Sequence, residues 1–200
     1  MKQQLDIAAL SKRYCVRRMT EADADAIAAL CSSNPQYYEA CGVPVTREDI
    51  LKDLTLCPPG KTLCDKYFLG FYDGVDDGSG GEQLTAILDL ITDYPDTRTA
   101  YIGLFMVDGA RAGQGLGTAL LKELFPALKA EGFGTVRLCY QKDNPQSGAF
   151  WVKNGFAAQK EVPHAYGTMI AAQRELQQKI SGKAAKPATQ INKKYGAYRL

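Results

Sequence analysis

Val107-Asp-Gly-Ala-Arg-Ala-Gly-Gln-Gly-Leu-Gly-Thr118 sets three glycines, Gly113, Gly115 and Gly117, at alternate positions between an apolar run and a helical pattern. The run before it, Tyr101-Ile-Gly-Leu-Phe-Met-Val107, has the composition of a buried strand. After it, Leu116, Ala119, Leu120, Leu124 and Leu128 recur at helical spacing, and Pro126 within that pattern predicts a bend. Glycine lets a backbone approach a ligand closely because no Cβ intervenes. The amides that open a helix lack an internal acceptor, and the helix dipole adds partial positive charge there. The stretch therefore predicts a seat for the pyrophosphate of a phosphorylated ligand.

Two familiar glycine signatures are excluded. A P-loop needs Gly-x-x-x-x-Gly-Lys-Ser/Thr, which does not occur. The dinucleotide fingerprint Gly-x-Gly-x-x-Gly fails at Thr118 when started from Gly113, and at Leu120 when started from Gly115. That fingerprint also belongs in an opening βαβ unit, whereas about half of this chain precedes the turn.

Another pattern fits. Gly113-Gln-Gly115-Leu-Gly117, after a strand ending Val107-Asp108, resembles the coenzyme A loop of the GNAT acetyltransferases, Arg/Gln-x-x-Gly-x-Gly/Ala. Gly115 and Gly117 take its two fixed small positions. Downstream, Asn144-Pro-Gln-Ser147-Gly-Ala-Phe150-Trp151-Val-Lys-Asn-Gly155-Phe156 resembles the family's Asn-x-x-Ala-x-x-Phe-Tyr-x-x-x-Gly-Phe. The motifs stand in the family's order, about thirty residues apart, with a strand-like 136–140 between them. The resemblance spans roughly residues 14 to 174.

It implies an α/β fold with a central mixed, mostly antiparallel sheet of about seven strands and flanking helices. It also implies acetyl-CoA as co-substrate, no metal, and direct attack by a primary amine within a ternary complex. The acceptor would be a small-molecule or peptide amine. Ala112, Gly113, Gln114, Gly115, Leu116, Gly117 and Thr118 would cradle the diphosphate. Phe105, Met106 and Val107 would take the pantetheine arm as an added strand, with Asn144, Ser147 and Trp151 alongside. Asn144 would hold the arm or order a water. An amide of Met106 or Val107 would polarise the thioester carbonyl, where charge develops.

Two residues depart from the pattern. Ala112 stands at the Arg/Gln position, with Arg111 one place early as a candidate phosphate contact. Trp151 stands where many relatives carry the tyrosine that protonates the leaving thiolate. An indole donates a hydrogen bond but transfers no proton near neutral pH. A thiol pKa of about 8.5 makes the thiolate a tolerable leaving group without an acid. Tyr140 and Tyr166 are candidate substitutes.

For the base, Asp89, Asp93 and Tyr101 are candidates. Asp89 alternates with Ile87 and Ile91, so it is an acid on a partly apolar face, where desolvation raises a carboxyl pKa. The same pattern suits an exposed face or an ion pair. Tyr37, Tyr38 and Glu39 fall where relatives build one wall of the acceptor cleft; covering the core is the alternative. His164, the sole histidine, reads as surface decoration in a loop.

Two hundred residues, 46% hydrophobic and 23% charged, suit one globular domain. We divide the chain into an N-terminal extension (1–13), a GNAT domain (14–176) and a basic tail (177–200). That tail carries six basic residues and no acid, leaving residues 1–176 with 18 basic and 22 acidic side chains, a net of −4. It suits contact with RNA, anionic lipid or an acidic partner, or a solvated terminus. Nucleic acid is not expected as a partner, nor is a membrane, since no stretch is apolar enough to span one. The N-terminus lacks the apolar core of a secretory signal, so a cytoplasmic location is expected. The six cysteines match no disulfide framework, no Cys-x-x-Cys occurs, and one histidine completes no zinc set. The resemblance leaves a homodimer open.

Local signals complete the plan. Strands are expected at 14–19, 67–72, 84–91, 157–161 and 168–173, with a loop over 163–167. Thr20 and the Thr46/Asp49 pair open helices reaching about Cys31 and Leu56. A short helical piece is expected at 37–42, and a helix over 146–153 stopped by Asn154-Gly155. The Asp- and Gly-rich 73–81 lacks calcium-loop spacing and reads as a hairpin turn. Three functions stay open: an N-acetyltransferase, a non-catalytic CoA-binding sensor, and a protein or ribosome modifier docked through the tail.

Overall fold

The computed structural model of the protein describes residues 4–35, 37–38, 46–74, 82–165 and 167–176. Glu39, Cys41, Tyr166, the 75–81 loop and the basic tail lie outside these, as does most of the 37–42 piece. The chain forms β1 (Cys15–Arg18), α1 (Ala24–Ser32), α2 (Arg47–Thr55), β2 (Lys66–Asp73), β3 (Gln83–Thr92) and β4 (Thr99–Val107). Then follow α3 (Leu116–Ala130), β5 (Thr135–Gln141), α4 (Pro145–Lys153), β6 (Ala157–His164) and β7 (Gly167–Glu175). Seven strands make one sheet in the order β1-β2-β3-β4-β5-β7-β6. Every neighbouring pair is antiparallel except β4 with β5.

Alternating side chains give the sheet two buried faces. Leu69, Leu88, Leu90 and Ile102 point to the face covered by Leu120, Leu121, Leu124 and Leu128 of α3. Phe68, Ile87, Leu104 and Met106 point to the other, covered by Ile27 and Leu30 of α1 and Ile50 of α2. Leu5 and Leu10, within the stretch read as an N-terminal extension, bury in the first core, and the Leu5 amide donates to the Tyr67 hydroxyl at 3.0 Å.

The local signals act as expected at most ends. The Asp49 carboxylate accepts from the Thr46 amide at 3.2 Å and hydroxyl at 2.7 Å, while the Thr46 hydroxyl accepts from the Asp49 amide, closing a capping box. Gly155, at φ +82°, follows α4, and the Phe156 amide reaches back to Trp151 O at 3.0 Å, a Schellman ending. α3 runs unbroken through Pro126. One expectation is corrected: β6 continues through Pro163 to His164 instead of yielding to a loop. β6 is a sheet edge, where a residue without an N–H is tolerated.

Candidate active site

β4 and β5 pair only from Thr99 opposite Thr135 to Ile102 opposite Leu138, then part. A bulge lies at the same point. On β3, Leu90 faces Ile102 but Asp89 faces Leu104, so Gly103 is an extra residue in β4. β5 stays bound to β7 along its whole length, up to Gln141 opposite Met169. Residues 103–107 thus present an edge toward β5 that no strand of the described residues fills.

Hydrogen-bond parity says which groups face that gap. The Asp108 amide donates to Thr85 O at 2.8 Å, so Asp108, Met106 and Leu104 turn their main chains toward β3. Phe105 and Val107 turn theirs toward the gap. Met106, one of the two candidates for the amide that polarises a carbonyl, thus has its N–H in the β3 ladder. Val107, the other candidate, faces the gap. Its carbonyl accepts from Asn34 Nδ2 at 2.9 Å, and the Gly109 amide donates to Ser33 Oγ at 2.8 Å, so the end of α1 pins the end of β4. In the sequence Asn34 reads only as a helix breaker; a polar side chain at a helix end is the available signal.

The glycine stretch closes the same end of the gap. Gly113 and Gly115 have φ of +75° and +83°, a left-handed conformation that places the start of α3 against the end of β4. The first bond of the α3 ladder runs from the Ala119 amide to Gly115 O at 2.9 Å, so the amides of Leu116, Gly117 and Thr118 have no acceptor within the helix. Gly117 serves another purpose. A Cβ there would lie 3.1 Å from Phe150 Cζ and 3.5 Å from Phe105 Cε1, so its bareness lets α3 and α4 converge. Below them, Phe105, Phe150, Trp151 and Phe156 form a stacked and edge-on cluster with centroids 5.0–6.2 Å apart. Trp151 is buried within it. Asn144 caps α4, its side chain accepting from the Ser147 amide at 2.9 Å, and Asn154 Nδ2 reaches Thr118 Oγ1 at 3.4 Å.

Ala112 and Gln114 lie in the exposed turn before α3, where the Gln114 side chain donates to Ala110 O. Arg111 points away from the start of α3: Nη1 donates to Asp73 at 2.7 Å and Nη2 to Gln83 at 3.0 Å, tying the loop to the β2–β3 hairpin. The carboxyl of Asp73 is held below its ordinary range chiefly by that hydrogen bond.

On the α1/α2 face, Asp89 stands beside Leu104 at the level of the bulge. Its carboxylate takes Lys66 Nζ at 2.7 Å on both oxygens, and the two residues are 1% and 2% exposed. Burial pushes the Asp89 carboxyl up to about 6, with the Lys66 charge pulling against it. Tyr101, two residues before the bulge, is buried edge-on to Tyr94 at 5.4 Å and hydrogen-bonds the Cys139 thiol, which burial pushes up. Tyr140 is buried on the opposite face, against the first core. Asp93 closes the β3–β4 turn, accepting from the Arg98 amide at 2.7 Å, at the end of the sheet away from the glycines. Tyr37 and Tyr38 are half-buried, 5.1 Å apart edge-on, and pack on the α1/α2 core. His164 is half-buried at the end of β6. No cluster of three or more metal-ligating side chains occurs among the described residues, and no helix there is long and apolar enough to cross a membrane.

Comparison with known proteins bears on the fold and the family. No functionally curated protein matches the chain at a significant level. An acetyltransferase crystal structure from Thermus thermophilus superposes with a TM-score of 0.63 at 21% identity, covering 81% of this chain and 96% of its own. The ribosomal-protein-S18-alanine N-acetyltransferase from Escherichia coli gives 0.57 at 16%, covering 86% and 99%. The PaiA N-acetyltransferase of Thermoplasma acidophilum, solved with coenzyme A, gives 0.55 at 16%, covering 80% and 97%. These likenesses establish the fold. The sequence model described as "Acetyltransferase (GNAT) family" matches residues 26–156, well over half of the chain, and this protein belongs to that family.

Proposed function

We propose that the protein transfers an acetyl group from acetyl-CoA to a primary amine by direct attack. The observation that carries this reading is the unfilled edge of residues 103–107, which leads straight to the bare amides of Leu116, Gly117 and Thr118. A pantetheine amide has the donor and acceptor a strand edge requires, and a diphosphate has the charge a helix start favours.

The chain's own groups have distinct tasks. The amides of residues 113–118 hold the diphosphate. The main chains of Phe105 and Val107 align the arm, and the Val107 N–H polarises the thioester carbonyl. Asn144 and Ser147 flank the arm from the start of α4. Trp151 supports the loop from beneath as part of the aromatic cluster, and the thiolate departs without it. Asp89 receives the proton that the amine gives up, directly or through a water. Tyr37 and Tyr38 border the acceptor.

The test is release of free thiol from acetyl-CoA in the presence of polyamines, amino acids and peptides with free N-termini, alongside calorimetry with CoA. Turnover with one acceptor class and binding of CoA support the proposal. Binding with no turnover across the panel would point to a CoA sensor instead, a reading that the absence of a tyrosine at position 151 favours. No binding at all would overturn both.

A further inference from the structure

We infer that Lys66 is a positioning residue for the transfer reaction, holding Asp89 as the proton acceptor beside the point where β4 leaves β5. This rests on the transfer reading above. Nothing in the sequence marks Lys66, since it sits 23 residues from Asp89 at the start of an apolar strand.

Three observations carry the inference. First, location: Asp89 is directly across from Leu104, at the step where the register jumps over Gly103. One strand spacing, about 4.8 Å, separates its backbone from the strand whose free edge would carry the thioester. Second, geometry: both Asp89 oxygens lie 2.7 Å from a single ammonium, so the carboxylate plane is fixed and each oxygen keeps a lone pair. Third, context: a buried ion pair on an apolar face is weak as a stabilising device, because desolvation offsets its attraction. Phe68 and Lys66 flank Asp89 from β2, and Leu104 from β4. Among the described residues, Cys57 also bears on the pair and, through it, Asp65, both from the loop before β2. Lys66 is thus the cation set against this carboxylate, and without it burial would leave Asp89 protonated near neutrality.

The step balances simply. The amine nitrogen forms a bond to the thioester carbon, and the carbon–sulfur bond breaks with its electrons on sulfur. The proton lost by nitrogen passes to Asp89 and then, through solvent, to the thiolate. Lys66 takes no part in the proton transfer and touches neither reactant.

The experiment measures kcat/KM against pH for the full chain and for Lys66→Met and Lys66→Arg, with the acceptor found above. Wild type should show an acid limb near pH 6, tenfold loss per unit below it, because only ionised Asp89 accepts a proton. Lys66→Met should move that limb upward by at least about one unit, and Lys66→Arg should restore most of it. CoA binding by calorimetry should stay within about twofold for both. An NMR titration of the Asp89 carboxyl supplies a readout independent of turnover and should show the same ordering. A uniform loss of rate in Lys66→Met with the limb unmoved, or an Asp89 titration unaltered by the substitution, would overturn the inference. Failure of wild type to turn over any amine would overturn the transfer reading instead. Should Lys66→Met not fold, Lys66→Gln takes its place in the same two measurements, with the same results supporting or overturning the inference.

Discussion

Replacing Gly115 by alanine separates conformation from space in the proposed phosphate seat. No heavy atom lies within 4 Å of a Cβ built there, so the change meets no steric wall. The backbone, however, sits at φ +83° and ψ 1°. An L-residue held in the left-handed region loses roughly 1–2 kcal/mol. In a chain of this size that lowers Tm by about 2–8 °C, followed by thermal unfolding without ligand. If the loop relaxes to escape the strain, the amides of Leu116 and Gly117 turn away from the ligand. A hydrogen bond to a charged group contributes about 1.5–3 kcal/mol, so the Kd for CoA should rise about 10- to 100-fold by calorimetry. Gly115→Asn is the control, because asparagine tolerates the left-handed region and should keep more of both properties. Gly117→Ala should fail for the other reason, crowding Phe150 at 3.1 Å, and Phe150→Leu should relieve it. CoA binding by Gly115→Ala within about twofold of wild type would refute the argument that these amides carry the diphosphate.

Three further outcomes follow from the packing. Asp89→Asn strands a buried ammonium and should cost about 3–5 kcal/mol, whereas Lys66→Met with Asp89→Leu should regain most of that in thermal unfolding while remaining inactive. Leu10→Ala should lower stability by about 2–5 kcal/mol in urea titration, because Leu10 is fully buried in the core with α3 despite its place near the N-terminus. Gly109→Ala would drive a Cβ into Ser33 O, so the end of α1 and the loop must separate; CoA affinity and Tm should both fall.

Features governed by neighbours in sequence were legible in sequence. The three alternating glycines, the Thr46/Asp49 box and the Gly155 stop each depend on a few adjacent residues, and each took its expected place. Features governed by pairing between distant segments were not. Lys66 meets Asp89 through the register of β2 on β3, a two-body property that no periodicity in either strand encodes. The choice between Met106 and Val107 likewise turned on which main chain faces β3, and one residue of slip reverses it. Leu5 and Leu10 belong to the core through contacts with segments far along the chain. Arg111 stood close enough to the glycines to suggest a phosphate contact, but its partners came from the β2–β3 hairpin.

That dependence on register converges on Gly103. Before it, Ile102 points toward α3 and Tyr101 toward the α1/α2 face. Strict alternation would send Leu104 toward α3 and Phe105 away from it. The extra residue inverts this, so Leu104 and Met106 join α1 and α2 while Phe105 packs on Phe150 and Trp151. The same inversion aims the Phe105 and Val107 main chains at the gap, puts Leu104 beside Asp89, and coincides with the point where β4 leaves β5. Removing Gly103 would therefore not merely shorten a strand: it would turn each of those groups to the wrong side at once. The edge proposed to admit the pantetheine arm, and the β4 residue set beside the carboxylate proposed to take the proton, both follow from one inserted residue.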